Sequence, residues 1–308
     1  MKHLKKTMLV LLGSLLFLSG CSLPGLASNQ DEDTIALTGG ITSEGQILGS
    51  IVAGMVEHYT DKKTTVINNL GTTTITHQAM MNGDADISTT RYTGTDIAST
   101  LLLEPVMDPD EALTVAQKEF KERYNQKWFP PYGFDNTYVF LVRKDTAEEY
   151  NLKTVSDLKE VQSELKVGAD RAWMTRAGDG YEGMQDVYGF SFDQILPMQI
   201  GLVYDAVAAH QMDVVLGYST DGRIQSYDLV MLEDDQQFFP PYDASMIVNQ
   251  DLLDKEPELT DILNKLEGKI DTETMQKLNF EADNDLVEPS LVAEKFLEEN
   301  NYFEGDDK

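Results

Sequence analysis

Residues 79–96 read AMMNGDADISTTRYTGTD, and residues 208–221 follow the same plan as AAHQMDVVLGYSTD. In each stretch the end of a helix leads through a turn and an aspartate into a short apolar strand. Each strand leads to a tyrosine beside hydroxyl residues, Tyr92 in the first stretch and Tyr218 in the second. Open α/β sheets bind ligands beyond the carboxyl ends of their strands. The repetition therefore predicts two similar α/β units, each with a tyrosine at its ligand-facing edge.

The segments around these stretches alternate short β-prone runs with helical periodicity, which is typical of an α/β fold. The strongest buried-strand pattern is YVFLVR at residues 138–143. FPPY occurs at residues 129–132 and again at 239–242, near the predicted crossings between the two units. The predicted strands cover residues 34–37, 64–67, 85–88, 138–143, 165–169, 198–200, 213–216 and 244–248, and the predicted helices cover 46–59, 72–81, 109–124, 180–188 and 203–210, with a helix start at 154–159 and acidic helices out to Phe303.

The N-terminus has the composition of a secretory signal peptide. Three lysines among the first six residues precede an apolar run at residues 8–18, which is too short for a membrane span of roughly 20 residues. The following LSGC, ending at Cys21, resembles a bacterial lipobox and implies cleavage before Cys21 and a lipid on its sulfur. We therefore expect a signal peptide at residues 1–20, a flexible tether at 21–33, and an anchor at Cys21 to the outer face of the cell membrane.

The composition excludes several classes of site and partner. Cys21 is the only cysteine, so the chain can form no internal disulfide and no cysteine metal site. The net charge is −29, and removal of residues 1–20, which hold three lysines and no acid, would bring it to −32. Nucleic acid is an unsuitable partner for such a chain, because that affinity depends on lysine and arginine neutralising phosphates.

No catalytic motif stands out in the chain. None of the four histidines lies in a HExxH pattern or has metal-ligand spacing, and no GxxxxGK[ST] loop occurs. The stretch GYSTD at residues 217–221 lacks the final glycine of a nucleophile elbow. With 53 acidic residues, paired carboxylates are more typical of a solvated acidic face than of a catalytic pair. The sequence therefore predicts no enzymatic activity, no metal and no cofactor.

Four tyrosines fall at predicted strand ends or crossings in both halves of the chain. A quaternary ammonium has no N–H donor, so aromatic ring faces bind it, at about 0.5–2 kcal/mol per desolvated contact. Tyrosine suits this task because its hydroxyl finds a polar partner while its ring faces the cation. Their positions alone leave open that these are half-buried structural residues. The four are Tyr92, Tyr138, Tyr218 and Tyr242.

Over nearly all of residues 30–305 the chain resembles the glycine betaine/carnitine/choline-binding proteins of osmoprotectant ABC importers. The resemblance depends on the order and spacing of several short motifs together, since no single motif is specific. These motifs are GDAD at 83–86, RYTGT at 91–95, DNTY at 135–138, LKTVSDL at 152–158, DGY at 179–181 and FPPY at 239–242.

The resemblance implies a two-lobed periplasmic-binding-protein fold of type II, in which a hinge closes the cleft between the lobes on the ligand. Lobe I is expected at residues 31–140 plus 243–305, and lobe II at 141–242. The resemblance places an aromatic cage on the four tyrosines and polar ligand contacts near Gly40, Thr95 and Asn136. Relatives often have a hydrogen-bonding side chain at the position of Gly40, so Thr42, Ser43 and Thr95 are the candidate substitutes.

The implied function is that of an extracytoplasmic lipoprotein that binds quaternary-ammonium osmoprotectants or choline and delivers them to an ABC permease. Two alternatives remain open from the residues. One is a receptor for another small cation, a polyamine or basic amino acid, recognised by acidic side chains in the cleft. The other, from a different class, is a surface lipoprotein hydrolase with paired carboxylates.

Overall fold

The computed structural model describes residues 33–176 and 178–303, so the predicted signal peptide and Cys21 lie outside the described residues. Strands and helices alternate along these ranges, as the sequence predicts. The strands are β1 (Thr34–Thr38), β2 (Lys63–Ile67), β3 (Ile87–Tyr92), β4 (Gln126–Trp128), β5 (Tyr138–Arg143), β6 (Lys166–Asp170), β7 (Gln194–Met198), β8 (Val214–Tyr218), β9 (Leu229–Met231) and β10 (Ala244–Asn249). The helices are α1 (Ser43–Tyr59), α2 (Thr73–Asn82), α3 (Thr93–Ser99), α4 (Pro109–Tyr124), α5 (Lys144–Tyr150), α6 (Arg171–Met174), α7 (Tyr181–Tyr188), α8 (Ile200–Ala208), α9 (Arg223–Ser226), α10 (Gln250–Lys255), α11 (Leu259–Asn264), α12 (Thr272–Asp283) and α13 (Pro289–Glu299), with a 3₁₀ turn at Val155–Glu160.

The strands form two sheets with the same arrangement. The first has the order β2-β1-β3-β10-β4, and the second has the order β7-β6-β8-β5-β9. In the first sheet β1 runs parallel to β2 and β3, while β10 is antiparallel to β3 and β4. In the second sheet β6 runs parallel to β7 and β8, while β5 is antiparallel to β8 and β9. The two stretches that share one sequence plan therefore supply equivalent central strands, β3 and β8.

Two crossings connect the sheets. The chain leaves the first sheet after β4 and returns to it before β10, and the crossings pair through an antiparallel bridge between Asp135 and Asp243. Residues 138–140 belong to β5 in the second sheet, so the predicted end of the first lobe segment at 140 falls inside a strand of the other lobe. We propose the same division into lobes with this boundary moved to the residue before Tyr138.

Helices on the sheets bury separate cores in each lobe. In the first lobe α1 packs Ile47, Ile51 and Met55, all fully buried, beside strands β1 and β3 and helix α13. The helical spacing of these apolar residues is the pattern from which the sequence predicts this helix. In the second lobe a core around Phe140 and Trp173 covers one side of the sheet, and a core around Tyr204 forms a separate cluster. Each lobe thus has its own hydrophobic core, and loops of both lobes lie at the cleft between them.

The structure corrects the predicted elements at several places. The strand predicted at 198–200 lies at Gln194–Met198, and Ile200 begins α8 instead. This edge strand is mostly exposed and contains a proline, so it lacks the apolar alternation from which a strand is recognised. The strand predicted at 85–88 begins at Ile87, and the one predicted at 213–216 extends to Tyr218. The three-residue strands β4 and β9 were not predicted, because segments so short are strands only through their neighbours in the sheet.

Candidate ligand-binding site

A cleft of about 400 Å³ lies where the two lobes face each other. This volume is within the range of about 300–1,000 Å³ that is usual for small-molecule sites. The loop after β1, the end of β3, the first crossing and the end of β8 all contribute to its walls. All seven residues predicted to contact a ligand line this one cleft: Gly40, Tyr92, Thr95, Asn136, Tyr138, Tyr218 and Tyr242.

Tyr92 and Thr95 are held at the cleft by one buried ion pair, whose two residues flank them in the sequence. Arg91 Nε donates to Asp96 Oδ2 at 2.9 Å, and the Thr100 hydroxyl donates to Asp96 Oδ1 at 2.7 Å. The side chains of Arg91 and Asp96 are 1% and 0% exposed. The ion pair ties the end of β3 to the first turn of α3, and the backbone between them carries Tyr92 and Thr95.

Tyr138 and Tyr218 form a pair in the second lobe. The antiparallel register of β5 and β8 places them directly opposite each other. Their ring centroids lie 5.1 Å apart with planes at 37°, and Phe239 packs against Tyr138 at 5.7 Å. Both tyrosines are half-buried, so each retains ring surface that faces the cleft. The second lobe therefore presents two adjoining aromatic walls.

Tyr242 lies on the return crossing and contacts both lobes. The Pro241 carbonyl accepts a hydrogen bond from the Gly94 N–H at 2.9 Å. A Cβ at Gly94 would lie 2.6 Å from that oxygen, so a larger residue cannot occupy this position without a shift. The Tyr242 hydroxyl donates to Asp179 Oδ2 and accepts from Arg176 Nη2 at 3.2 Å. These contacts fix the direction in which the ring points.

The first crossing carries Asn136 and is hydrogen-bonded to the return crossing. The Asn136 N–H donates to the Tyr242 carbonyl at 3.2 Å, and the Tyr242 N–H donates to Asp135 Oδ2 at 3.1 Å. Burial raises the pKa of Asp135 to about 6. The hydrogen bond from the Tyr242 N–H acts in the opposite direction and limits this rise.

Gly40 packs backbone to backbone against the first turn of α1. A Cβ at Gly40 would lie 3.1 Å from Gly45 Cα, and a Cβ at Gly45 would lie 2.7 Å from Gly40 Cα. The two glycines therefore permit a close approach of the loop to the helix that larger residues would obstruct. This approach leaves only backbone groups of Gly40 to meet a ligand.

Two of the three candidate substitutes for a side chain at Gly40 are already engaged. Thr42 Oγ1 accepts the Gly45 N–H at 3.2 Å as the cap of α1, and the Ser43 hydroxyl donates to Asp283. Within residues 33–176 and 178–303, the Thr95 hydroxyl has no hydrogen-bond partner. Of the three, Thr95 is therefore the hydroxyl that makes no hydrogen bond within the described residues, while Thr42 still has its O–H to donate to a ligand.

Sequence reasoning missed four charged residues that line the cleft: Glu44, Arg176, Asp221 and Asp283. Glu44 is 4% exposed in the first turn of α1, where an acid is usual and gives no signal of burial. Arg176 pairs with Asp179 at 2.5 Å, and its Cζ lies 6.0 Å from the centroid of the Tyr138 ring. The only sequence signal for Arg176 is its position three residues before the DGY motif at 179–181.

The four cleft tyrosines are neutral at physiological pH. Burial is the largest cause that raises the pKa of each, for Tyr92, Tyr138, Tyr218 and Tyr242 alike. Their rings therefore carry no formal charge, and each hydroxyl keeps its proton to donate.

Among the described residues, no group of three possible histidine, aspartate or glutamate metal ligands occurs.

A family model matches almost the whole described chain. Residues 33–299 match the substrate-binding domain of ABC-type glycine betaine transport systems. The chain belongs to this family. The family resemblance predicted from the sequence is confirmed, and so is the two-lobed α/β fold of periplasmic binding proteins.

Individual relatives agree with this assignment. The chain is 55% identical to the carnitine transport binding protein OpuCC of Listeria monocytogenes, over 96% of each protein. It is 30% identical to the glycine-betaine-binding protein of Pseudomonas aeruginosa, over 92% of each. A crystal structure of a glycine betaine/carnitine/choline ABC transporter protein superposes with a TM-score of 0.84 at 50% identity, covering 88% of this chain and 100% of that one.

The family fixes the general role of the protein. It is a substrate-binding protein of an ABC transporter, with a small ligand and a permease as partners, and it is not an enzyme. The hydrolase alternative is therefore excluded. Binding proteins of ABC importers act outside the cytoplasm, and this places the chain there. Residues 33–176 and 178–303 contain no helix with the length and apolar character of a membrane span.

Proposed function

We propose that the protein binds quaternary-ammonium osmoprotectants or choline in the tyrosine-lined cleft and delivers them to its permease. The observation that carries this proposal is the convergence of Tyr92, Tyr138, Tyr218 and Tyr242 on one cleft. They come from the first lobe, the second lobe and the return crossing, so ring faces can surround a trimethylammonium group when the lobes close. The names of the Listeria and Pseudomonas relatives, which bind carnitine and glycine betaine, support this ligand class.

The same cleft offers partners for the other end of a zwitterionic ligand. The guanidinium of Arg176 lies beside the Tyr138 ring, and a guanidinium suits carboxylates through its fork of N–H donors. The unpartnered Thr95 hydroxyl can meet either a carboxylate or an alcohol. Asn136 and the backbone at Gly40 are further proposed contacts to the ligand. A cleft with these groups suits carboxylated ligands as well as choline.

We predict that the mature protein binds carnitine, glycine betaine and choline. The measurement is calorimetric titration with these three ligands and with spermidine and arginine, which represent the alternative of another small cation. The neutral rings favour the quaternary amines, because a polyamine needs acceptors for its N–H donors. If only spermidine or arginine binds, the protein is a receptor for another small cation. If choline binds but glycine betaine and carnitine give no heat, the predicted broad specificity is wrong.

An Arg176→Gln variant tests whether Arg176 contacts the carboxylate end of the ligand. Carnitine and glycine betaine should lose about tenfold in affinity, because they alone carry a carboxylate for the guanidinium. Choline should change by less than about threefold. The matched control is Arg123→Gln, in a half-exposed pair with Glu119 on α4, which does not line the cleft. Equal losses for all three ligands would show that Arg176 supports the cleft without contacting the carboxylate.

We further propose that Cys21 carries the lipid that anchors the protein to the membrane. A Cys21→Ala variant is expected to leave the membrane fraction and appear in the soluble extracytoplasmic fraction, because no other cysteine can carry the thioether. The check is fractionation with immunoblotting, together with incorporation of labelled palmitate. A wild-type protein that incorporates no label would contradict the lipobox.

A further inference from the structure

Glu44 is a buried carboxylate in the wall of the cleft. Its side chain accepts hydrogen bonds from three neutral donors, one phenol and two side-chain amides. The Tyr92 hydroxyl donates to Oε1 at 2.5 Å, Asn136 Nδ2 donates to Oε1 at 2.7 Å, and Asn279 Nδ2 donates to Oε2 at 3.2 Å. The residue is 4% exposed, so solvent contributes little to compensate its charge.

Within residues 33–176 and 178–303, Glu44 has no ion-pair partner. Among the described residues, no lysine, arginine or histidine lies within ion-pair distance of its carboxylate. The other acids of the cleft differ in this respect, because Asp221 pairs with Arg223 at 2.8 Å and Asp283 is exposed to solvent. Burying a charge without a partner of opposite sign is costly, and hydrogen bonds from neutral groups compensate only part of that cost.

The carboxylate lies next to the aromatic surface that is proposed to hold the ligand cation. It is bonded to the hydroxyl end of Tyr92, whose ring lines the cleft, and to Asn136 on the crossing beside Tyr138. A trimethylammonium group on the Tyr92 ring would therefore lie on the same side chain that is bonded to the carboxylate, in a site with little water to screen the charge. The hydrogen bond that the Tyr92 hydroxyl donates to a carboxylate also polarises the phenol, so that its ring becomes more negative and attracts a cation more strongly.

We propose that Glu44 is the buried counter-charge for the ligand cation, and that it makes the cleft select a cation over a neutral molecule of the same shape. The inference depends on the proposed function, since it needs the ligand ammonium in the tyrosine cage. Glu44 contacts the ligand electrostatically and through Tyr92, so it is a specificity-determining residue. The cost of its unpaired charge in the free protein is relieved when a cation enters.

The test combines removal of the charge from the protein with removal of the charge from the ligand. Choline is compared with its uncharged carbon isostere, in which a quaternary carbon replaces the nitrogen, and both are titrated into wild type and Glu44→Gln. Wild type should prefer choline. In the variant choline should bind at least tenfold more weakly, while the isostere should change by less than about threefold. The preference for the cation should therefore fall by several-fold.

The controls separate an electrostatic role from a structural one. Glu294→Gln makes the same substitution at an exposed site on α13, outside the cleft, and the preference for choline should remain as in wild type. Glu44→Ala serves as a second neutral variant, with circular dichroism on each. If a folded Glu44 variant loses affinity for choline and for the isostere equally, the inference is overturned and Glu44 is a purely structural residue. Failure of both variants to fold would lead to the same conclusion. A wild type that binds choline no better than the isostere would refute the proposed cage itself.

Discussion

An Asp96→Ala variant is expected to be less stable than wild type by about 3–5 kcal/mol. The substitution leaves the Arg91 guanidinium 1% exposed without the carboxylate that accepts its Nε hydrogen bond. The guanidinium Cζ lies 5.6 Å from the centroid of the Phe120 ring, and this cation–π contact is too weak to replace an ion pair. Urea unfolding followed by circular dichroism measures the difference, as a lower midpoint of the transition.

Two companion variants test the physical cause. Arg91→Met combined with Asp96→Ala should recover part of the loss, because the double variant buries no unpaired charge. Glu273→Ala removes an exposed i,i+4 partner of Lys277 on α12 and should leave the midpoint almost unchanged. A midpoint for Asp96→Ala that equals that of Glu273→Ala would contradict the view that this ion pair holds the first lobe together.

The same ion pair connects stability to binding. Tyr92 and Thr95 lie in the short segment between Arg91 and Asp96, so their positions depend on the joint of β3 and α3. The sequence contains this segment as RYTGTD, but the partnership of its first and last residues is visible only in the fold. Two opposite charges five positions apart in sequence ordinarily lie at the surface. This pair is buried because α4 packs over it.

The parts of the fold that follow from local patterns were predictable from the sequence, and the parts that depend on partners were not. The helix Pro109–Tyr124 and the strand Tyr138–Arg143 were predicted with the bounds that the structure shows, because each has a cap or a continuous apolar run of its own. The edge strand Gln194–Met198 has neither and was misplaced. The strands β4 and β9 exist only because β10 and β5 pair with them.

The residues of the site also fall into those with a local sequence signal and those without one. Tyrosines at strand ends are a local signal, and the structure brings all four to one cleft. Glu44 gave no such signal, because one acid in the first turn of a helix is common. The amides that bond it, Asn136 and Asn279, lie far away in sequence. Charge alone could not distinguish it among 53 acidic residues.

Alanine at any of the four cleft tyrosines is expected to weaken binding of quaternary amines by about twofold to thirtyfold, which corresponds to about 0.5–2 kcal/mol per lost cation–π contact. Lost packing and entry of water would add to this loss. Combined substitutions should cost less than the sum of the single ones, because a cage that lacks one wall already admits solvent to the others. The measurement is titration of carnitine and choline into each variant, with circular dichroism to show that it is folded.

The phenylalanine variants should divide according to the contacts of each hydroxyl. Tyr138→Phe and Tyr218→Phe keep the paired rings that are 5.1 Å apart and should bind almost as wild type does. Tyr92→Phe and Tyr242→Phe should cost more, because they remove the donors to Glu44 and Asp179. Tyr150→Ala, outside the cleft on α5, is the control and should leave affinity unchanged. If folded alanine variants at the four positions bind as tightly as this control, the rings do not hold the cation, and the cage must be abandoned while the family assignment stands.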